Sequence, residues 1–215
     1  MVAVVMSHNL AIFDLDGTLV DSQRDIADAG NAARLALGLP PLAAETVQGM
    51  IGDGANKLIE RLTPTAAADD RVRAMAAFRA DYATRLTTCT KPYPGIQDLL
   101  RALRSLGWQI AVATNKPAVF AQPIVERLGL HVDALRGGEG PKKPDPHMVF
   151  EIMESLSAQP STSWMIGDHH TDLAAARRAG IRSIWCNWGF GHRGDESAYA
   201  EVSRPGEILP ILTHG

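Results

Sequence analysis

Two carboxylates one residue apart, Asp14 and Asp16, follow the short apolar run Leu10-Ala11-Ile12-Phe13 and precede Gly17 and Thr18. In an extended chain residues i and i+2 share a face, so the pair would stand side by side where a strand ends. Adjacent carboxylates repel, and such a site is stable only with a cation bound or with a proton kept on one of them. Either state is useful to a catalyst. Gly17 permits a sharp exit or a close ligand approach that a side chain would obstruct. Taken alone, the pattern is also that of a strand running into an acidic loop, and the rest of the chain has to decide between the two.

Three other stretches carry residues of matching chemistry. Thr114-Asn115-Lys116 ends the apolar run that begins at Gln109, and Lys142-Lys143 sits in the proline-rich segment Pro141 to Pro146. Gly167-Asp168-His169-His170-Thr171-Asp172 follows the run Trp164-Met165-Ile166. The elements that would position them alternate. Helices are predicted over 96–106, 119–128, 147–156 and 171–179, three of them stopped by a glycine, with strands at 109–114, 132–135, 164–166 and 181–186. That alternation predicts a parallel sheet covered on both faces, and the opening strand belongs to it. Residues 22–90 differ: helical patterns over 23–37, 45–50, 55–62 and 66–86 are separated by Pro40-Pro41, Gly52-Asp53-Gly54 and Thr63-Pro64-Thr65, with no convincing strand. Ser22 is the predicted N-cap of the first. The expected fold is therefore an α/β, Rossmann-like parallel-sheet core (residues 1–21 and 91–215) with an inserted all-helical cap (residues 22–90).

Ligands of an open parallel sheet bind at the carboxyl ends of its strands. The residues pooled there are carboxylates, a hydroxyl and a lysine. Oxygen donors of this kind suit a hard cation, Mg²⁺ before a transition metal, and a hydroxyl with a lysine suits a phosphate. The set points to metal-assisted phosphoryl chemistry.

Asp14-Leu15-Asp16-Gly17-Thr18, Thr114, Lys143 before a proline, and Gly167-Asp168 with Asp172 resemble, in order, the four motifs of the haloacid dehalogenase-like hydrolases, over nearly the whole chain. The helical insertion resembles that family's C1-type cap. Asp16-Gly17-Thr18-Leu19-Val20-Asp21-Ser22, Ile51-Gly52-Asp53-Gly54-Ala55 and Ala113-Thr114-Asn115-Lys116-Pro117 are similar to phosphoglycolate phosphatases. The resemblance implies that Asp14 attacks phosphorus to give an aspartyl-phosphate. It implies that Asp16 protonates the leaving oxygen and then activates water, and that Thr114 and Lys143 bind the phosphoryl oxygens. It further implies that Asp14, the Asp16 carbonyl and Asp168 hold Mg²⁺, with Asp172 supporting the metal. The segment Arg136 to Pro141 is abrupt and leaves Lys142 as an alternative to Lys143; the proline after Lys143 favours the latter.

Gly17 and Asn115 are expected to touch the phosphate ester, and Asp53, Asn56, Lys57 and Arg61, on or near the cap tip, to contact its leaving group. Lys57 or Arg61 would meet a second anionic group. His169 and His170 read as exposed loop residues, His169 departing from the small hydroxyl residue the family carries there. His192 and Arg193 are weaker candidates for meeting a substrate. A carboxyl two residues after the nucleophile serves an alkoxide leaving group and argues against a dehalogenase, since halide needs no proton. Lys57, the only lysine of residues 22–90, sits beside Asn56 and near Glu60 on a half-exposed helix pattern, which argues against Schiff-base chemistry. A sugar phosphomutase would share all four motifs, but the cap tip lacks the Val-Ser-Arg pattern of mutase caps. A non-catalytic phosphate-binding regulatory protein would be expected to have lost one of Asp14, Asp16, Lys143 and Asp168.

Bulk properties agree with a small-molecule enzyme. A net charge of −3 gives no reason to expect nucleic acid or an anionic membrane as partner. The apolar start Met1 to Met6 lacks the basic flank and length of a signal segment and reads as a frayed lead-in, so the expected setting is cytoplasmic. The two cysteines, Cys89 and Cys186, have no metal-ligand spacing and are expected to be free thiols. A monomer or a homodimer fits equally.

Overall fold

The structure, a computed structural model, describes residues 8–214; the lead-in Met1 to Met6 lies outside the described residues. Its strands and helices run β1 (His8–Phe13), β2 (Val20–Asp21), α1 (Gln23–Leu35), α2 (Ala44–Gln48), α3 (Ala55–Leu62), α4 (Ala68–Arg85), β3 (Lys91–Pro92), α5 (Ile96–Ser105) and β4 (Gln109–Ala113). They continue with α6 (Ala118–Arg127), β5 (Ala134–Arg136), α7 (His147–Ser155), β6 (Ala158–Gly167), α8 (His170–Ala179), β7 (Arg182–Cys186), β8 (Ala200–Val202) and α9 (Ile208–His214).

Six strands form one sheet in the order β5-β4-β1-β6-β7-β8, and every pairing is parallel. Chain order runs from β1 outward through β4 to β5, then returns to β6 on the other side of β1. The carboxyl ends of β4, β1 and β6 therefore flank the switch in strand order, where an open sheet leaves a crevice. The sheet is buried on both faces, as the alternation of β1 records. Ala11 and Phe13 join the core that also holds α5, α6, α9 and the cap helices, whereas Leu10 and Ile12 join the smaller core with α7 and α8.

Helices α1 to α4 all fall between β2 and β3, and α1 packs along α4. The antiparallel pair β2–β3, Val20 opposite Pro92 and Asp21 opposite Lys91, ties together the two points where the chain leaves the sheet and returns. A buried carboxylate reinforces that junction. Asp25, on α1, accepts from the Cys89 and Thr90 backbone N–H groups and from the Thr90 hydroxyl at 2.6 Å. Asp25→Ala leaves these donors unsatisfied and removes a charge-assisted network, at a cost of about 2–4 kcal/mol. Urea unfolding measures it; a loss below about 0.5 kcal/mol, the usual range of an inert surface change, rules out this role.

Several expectations are corrected. Ser22 precedes α1 but caps nothing with its side chain; its buried hydroxyl is drawn instead to the nearer carboxylate, donating to Asp16 at 2.5 Å. Strand β6 runs far longer than 164–166: Ala158 pairs with His8 and Ser163 with Leu10, so the polar residues 159–162 bulge out of register before the buried half pairs along β1. The pair β2–β3, strand β8 and helix α9 are too short or too marginal to leave a periodic signal. Both cysteines are free thiols. Among the described residues no helix is long and apolar enough to cross a membrane.

Candidate active site

Asp14 is the first residue beyond β1, its N–H bonded to the Ile166 carbonyl of β6 at 2.9 Å. The next residues turn sharply: Gly17 donates to the Val20 carbonyl, with φ +89°. A Cβ at Gly17 would lie 2.1 Å from Asp168 Oδ2, so this position needs glycine both for its backbone angle and to let Asp168 approach. Asp168, just after β6, is held by three donors: the Thr18 hydroxyl at 2.7 Å and the N–H groups of Phe190 and Gly191 at 3.1 and 2.9 Å. Thr18, part of the opening motif, and the loop after β7 are thus parts of the site, their role being to hold Asp168.

Of the two lysines, Lys143 is the one buried among the strand-end carboxylates. It is 3% exposed, and its Nζ lies 2.6 Å from Asp172, 2.9 Å from Asp14 and 2.5 Å from the Ala113 carbonyl. Lys142 is only half-buried. Burial works against the charged form of Lys143, but Asp14 and Asp172 outweigh it and raise the pKa above the ordinary lysine value. The contact to Asp14 Oδ1 is an ion pair; no donor among the described residues is aligned to hydrogen-bond that buried oxygen.

One lysine does not balance the acids around it. Oxygens of Asp14, Asp168 and Asp172 lie within 4.8 Å of one another, and all three residues are buried. Burial pushes the Asp14 carboxyl up to about 6, with Asp172 adding to the effect and Lys143 opposing it. Burial, then Asp14 and Asp172, push Asp168 up to about 8. An aligned set of buried, oxygen-only donors with excess negative charge and an unsatisfied oxygen fits a divalent cation.

Asp16 has a separate partner, which the sequence reading missed. Lys116, two residues past Thr114, is 8% exposed and places Nζ 2.7 and 2.6 Å from the two Asp16 oxygens. The same Nζ lies 4.9 Å from the centre of the Tyr82 ring on α4. Burial opposes the charge on Lys116, but Asp16 and Tyr82 raise its pKa. The signal in the sequence was a lysine at a strand end, within a stretch similar to phosphoglycolate phosphatases but with no role assigned to it.

Thr114 is buried at the end of β4, and Asn115 donates to the Lys143 carbonyl at 3.0 Å and to the Gly52 carbonyl of the cap at 3.2 Å. Asp14, Asp16, Thr114 and Lys116 border a cavity of about 60 Å³ whose cap side is Ile51, Leu58, Phe78 and Tyr82. Asn56, Lys57 and Arg61 do not border it. On α3 the positions Leu58, Ile59 and Leu62 take the buried face, so the polar ones point away. Lys57 pairs with Glu60 at 2.8 Å, and Arg61 pairs with Asp53 at 2.5 Å and donates to the Met50 carbonyl. Arg61 also holds the Asp53 carboxyl below its ordinary value against the opposing effect of burial.

His169 and His170 are not exposed loop residues. His169 is 2% exposed and caps α8: its ring accepts from the Thr171 N–H, while Asp172 accepts from the His169 N–H at 3.0 Å. The ring fits under the cap tip only because Gly52, at φ +122°, has no Cβ; one there would lie 2.5 Å from the imidazole. Burial pushes the His169 imidazole down to about 4, with His170 adding to the effect. Arg193 is committed elsewhere, bonding the Glu196 carbonyl at 2.9 Å and pairing with Glu201.

This arrangement has known counterparts. The family model described as haloacid dehalogenase-like hydrolase matches residues 11–186. The phosphoglycolate phosphatase of Chromobacterium violaceum is 37% identical, over 98% of this chain and 99% of its own. That of Aquifex aeolicus is 33% identical, over 94% of this chain and 95% of its own. Among solved structures, a predicted phosphoglycolate phosphatase from Haemophilus somnus 129pt superposes with a TM-score of 0.89 at 27% identity, covering 95% of this chain and 97% of that one. Strand order, strand-end carboxylates and these similarities agree, and the chain belongs to the haloacid dehalogenase-like hydrolases, as a phosphatase of their phosphoglycolate phosphatase-like branch.

Proposed function

We propose that the chain is an Mg²⁺-dependent hydrolase of a small phosphate monoester that carries a second anionic group, phosphoglycolate or a close analogue, working through an aspartyl-phosphate on Asp14. The observation that carries the reading is the sharing-out of charge at the strand ends: Lys143 serves Asp14 and Asp172, while Lys116 serves Asp16 alone. Residues 22–90 act as the cap and the β2–β3 pair as its hinge.

In this mechanism a carboxylate oxygen of Asp14 attacks phosphorus, and the leaving oxygen takes a proton from Asp16. Asp16 then removes a proton from the water that attacks the aspartyl-phosphate, releasing inorganic phosphate and restoring Asp14. Thr114 and Lys143 hold the phosphoryl oxygens. Asp14, the Asp16 carbonyl and Asp168, with Asp172 behind them, would hold Mg²⁺, whose charge would offset that of the nucleophile and the phosphate. Gly17 and Asn115 line the phosphate's approach.

Asp16 cannot trade protons while Lys116 occupies both its oxygens. A substrate with a second anionic group supplies the remedy: its carboxylate takes over Lys116, and Asp16 is freed only when the right ester is present. The small cavity and its apolar cap wall support a short substrate. The cap-tip residues Asp53, Asn56, Lys57 and Arg61, mutually paired or turned outward, then serve cap position rather than leaving-group contact.

Phosphate release should be measured with Mg²⁺ and with EDTA on a panel of phosphoglycolate, sugar phosphates, nucleotides, pyrophosphate and a generic aryl phosphate. Phosphoglycolate is expected to give the highest kcat/KM, lost without divalent metal. Lys116→Met is expected to lower kcat/KM for phosphoglycolate about 10–100-fold, the worth of one charge-assisted contact, with a much smaller effect on the aryl ester. Lys57→Ala should change neither. An equal loss on both esters for Lys116→Met removes the carboxylate role, and activity that survives EDTA removes the metal.

A further inference from the structure

Outside the carboxylate pocket, the described residues bring together one other group of potential metal ligands, His169, His170 and His192. Each offers a ring nitrogen within 4.8 Å of the others. Ring centres stand 4.3 Å apart for His169 and His170, 4.6 Å for His169 and His192, and 4.5 Å for His170 and His192, a closed triangle of imidazoles. The first two open α8, and His192 arrives from the loop after β7, fixed there by the His170 N–H donating to the His192 carbonyl at 2.8 Å.

The three rings make no hydrogen bond to one another. His169 Nε2 and His170 Nδ1 are buried and have no partner among the described residues. Buried polar nitrogens are normally paired, and two unpaired ones facing a single triangle point to a ligand there. The Thr171 hydroxyl, 2.9 Å from His169 Nδ1, provides what a ligating histidine requires on its other nitrogen. A metal on Nε2 would move the ring proton to Nδ1, which would then give up the Thr171 N–H and donate to this hydroxyl instead. Asp53, on the cap tip, is near enough for its charge to act on His169 and His170.

We propose that His169, His170 and His192 form a second metal site, separate from the carboxylate pocket, that takes a first-row transition cation such as Zn²⁺ or Co²⁺ rather than Mg²⁺. Imidazole nitrogens favour these ions, whereas Mg²⁺ prefers oxygen. Three histidines with an exposed side at His192 leave a fourth position for water or another ligand. The ion would also fasten the loop whose Phe190 and Gly191 N–H groups hold Asp168, so its binding stiffens the edge of the catalytic pocket.

The test is a Co²⁺ titration of the purified full chain in excess Mg²⁺, followed by visible absorption. The expected result is a strong band of low-coordinate, nitrogen-ligated Co²⁺ saturating at one equivalent and abolished by Zn²⁺. It should persist in Asp14→Asn and weaken at least ~10-fold in affinity in His192→Ala. Absence of the band, its survival unchanged in His192→Ala, or its loss in Asp14→Asn overturns the proposal, the last by assigning the ion to the carboxylates. Nitrogen NMR of the wild-type histidines on adding Zn²⁺ gives a reading that needs no variant. Shifts of all three rings support the site, and shifts of none dismiss it.

Discussion

Asp14→Asn is expected to abolish turnover, by at least ~10⁴-fold in kcat, and at the same time to make the metal-free protein more stable at pH 8. The first half follows from the proposed nucleophile, since an amide oxygen cannot form the acylphosphate. The second follows from the electrostatics. Asp14 is 8% exposed, and burial together with Asp172 pushes its carboxyl up to about 6 even with Lys143 alongside. At pH 8 the folded chain therefore holds a charge less favourable than the same charge in the unfolded chain, a penalty of about 1–3 kcal/mol that the neutral isostere removes. Calorimetry in EDTA gives the stability, and phosphate release in Mg²⁺ gives the activity. Residual turnover within ~10-fold of wild type sinks the nucleophile assignment. A variant less stable than wild type in EDTA means that Lys143 already compensates the cluster. A protein that gains stability by losing its key carboxylate is one whose site is strained for function.

The parts of the site legible in the sequence are those a parallel sheet delivers by rule. Asp14, Thr114 and Asp168 each follow an apolar run, and a strand's carboxyl end is where a ligand crevice forms. Lys143 was legible through its neighbour Pro144, although only packing separates it from Lys142. What stayed hidden depends on contacts across the chain. Lys116 stands at a strand end in the sequence, but its role shows only when Asp16 and Tyr82, from β1's end and α4, close around it. His169 reads as exposed because polar residues before a helix usually are; its burial depends on a missing Cβ at Gly52, far away in sequence. The cap-tip expectation had a different weakness. The spacing of Leu58, Ile59 and Leu62 already gives α3 one apolar face, and Asn56, Lys57 and Arg61 fall off it. The amphipathic pattern that predicted the helix also predicted that these residues turn outward.

The second large effect is a stability that falls as pH rises, opposite to the usual acid unfolding of a protein. Asp14 and Asp168 are raised from an ordinary 3.8 to about 6 and about 8, burial being the leading cause for both. Between about pH 4 and pH 8 the folded metal-free chain thus binds more protons than the unfolded one. Stability then declines across that window and levels off above it, by a few kcal/mol. The two groups repel each other and titrate as a pair, so the decline spreads over the window without two distinct steps. A divalent cation competes with these protons for the same oxygens. Mg²⁺ should therefore raise Tm little at pH 5 and markedly at pH 8, and metal binding at neutral pH should release protons, detectable as a calorimetric heat that depends on the buffer's ionisation enthalpy. A Tm increment that is the same at both pH values would mean that the ion binds away from Asp14 and Asp168. In Asp168→Asn the increment should vanish at every pH, because the variant removes one of the carboxylates for which ion and protons compete, while Lys143 keeps its pairs with Asp14 and Asp172.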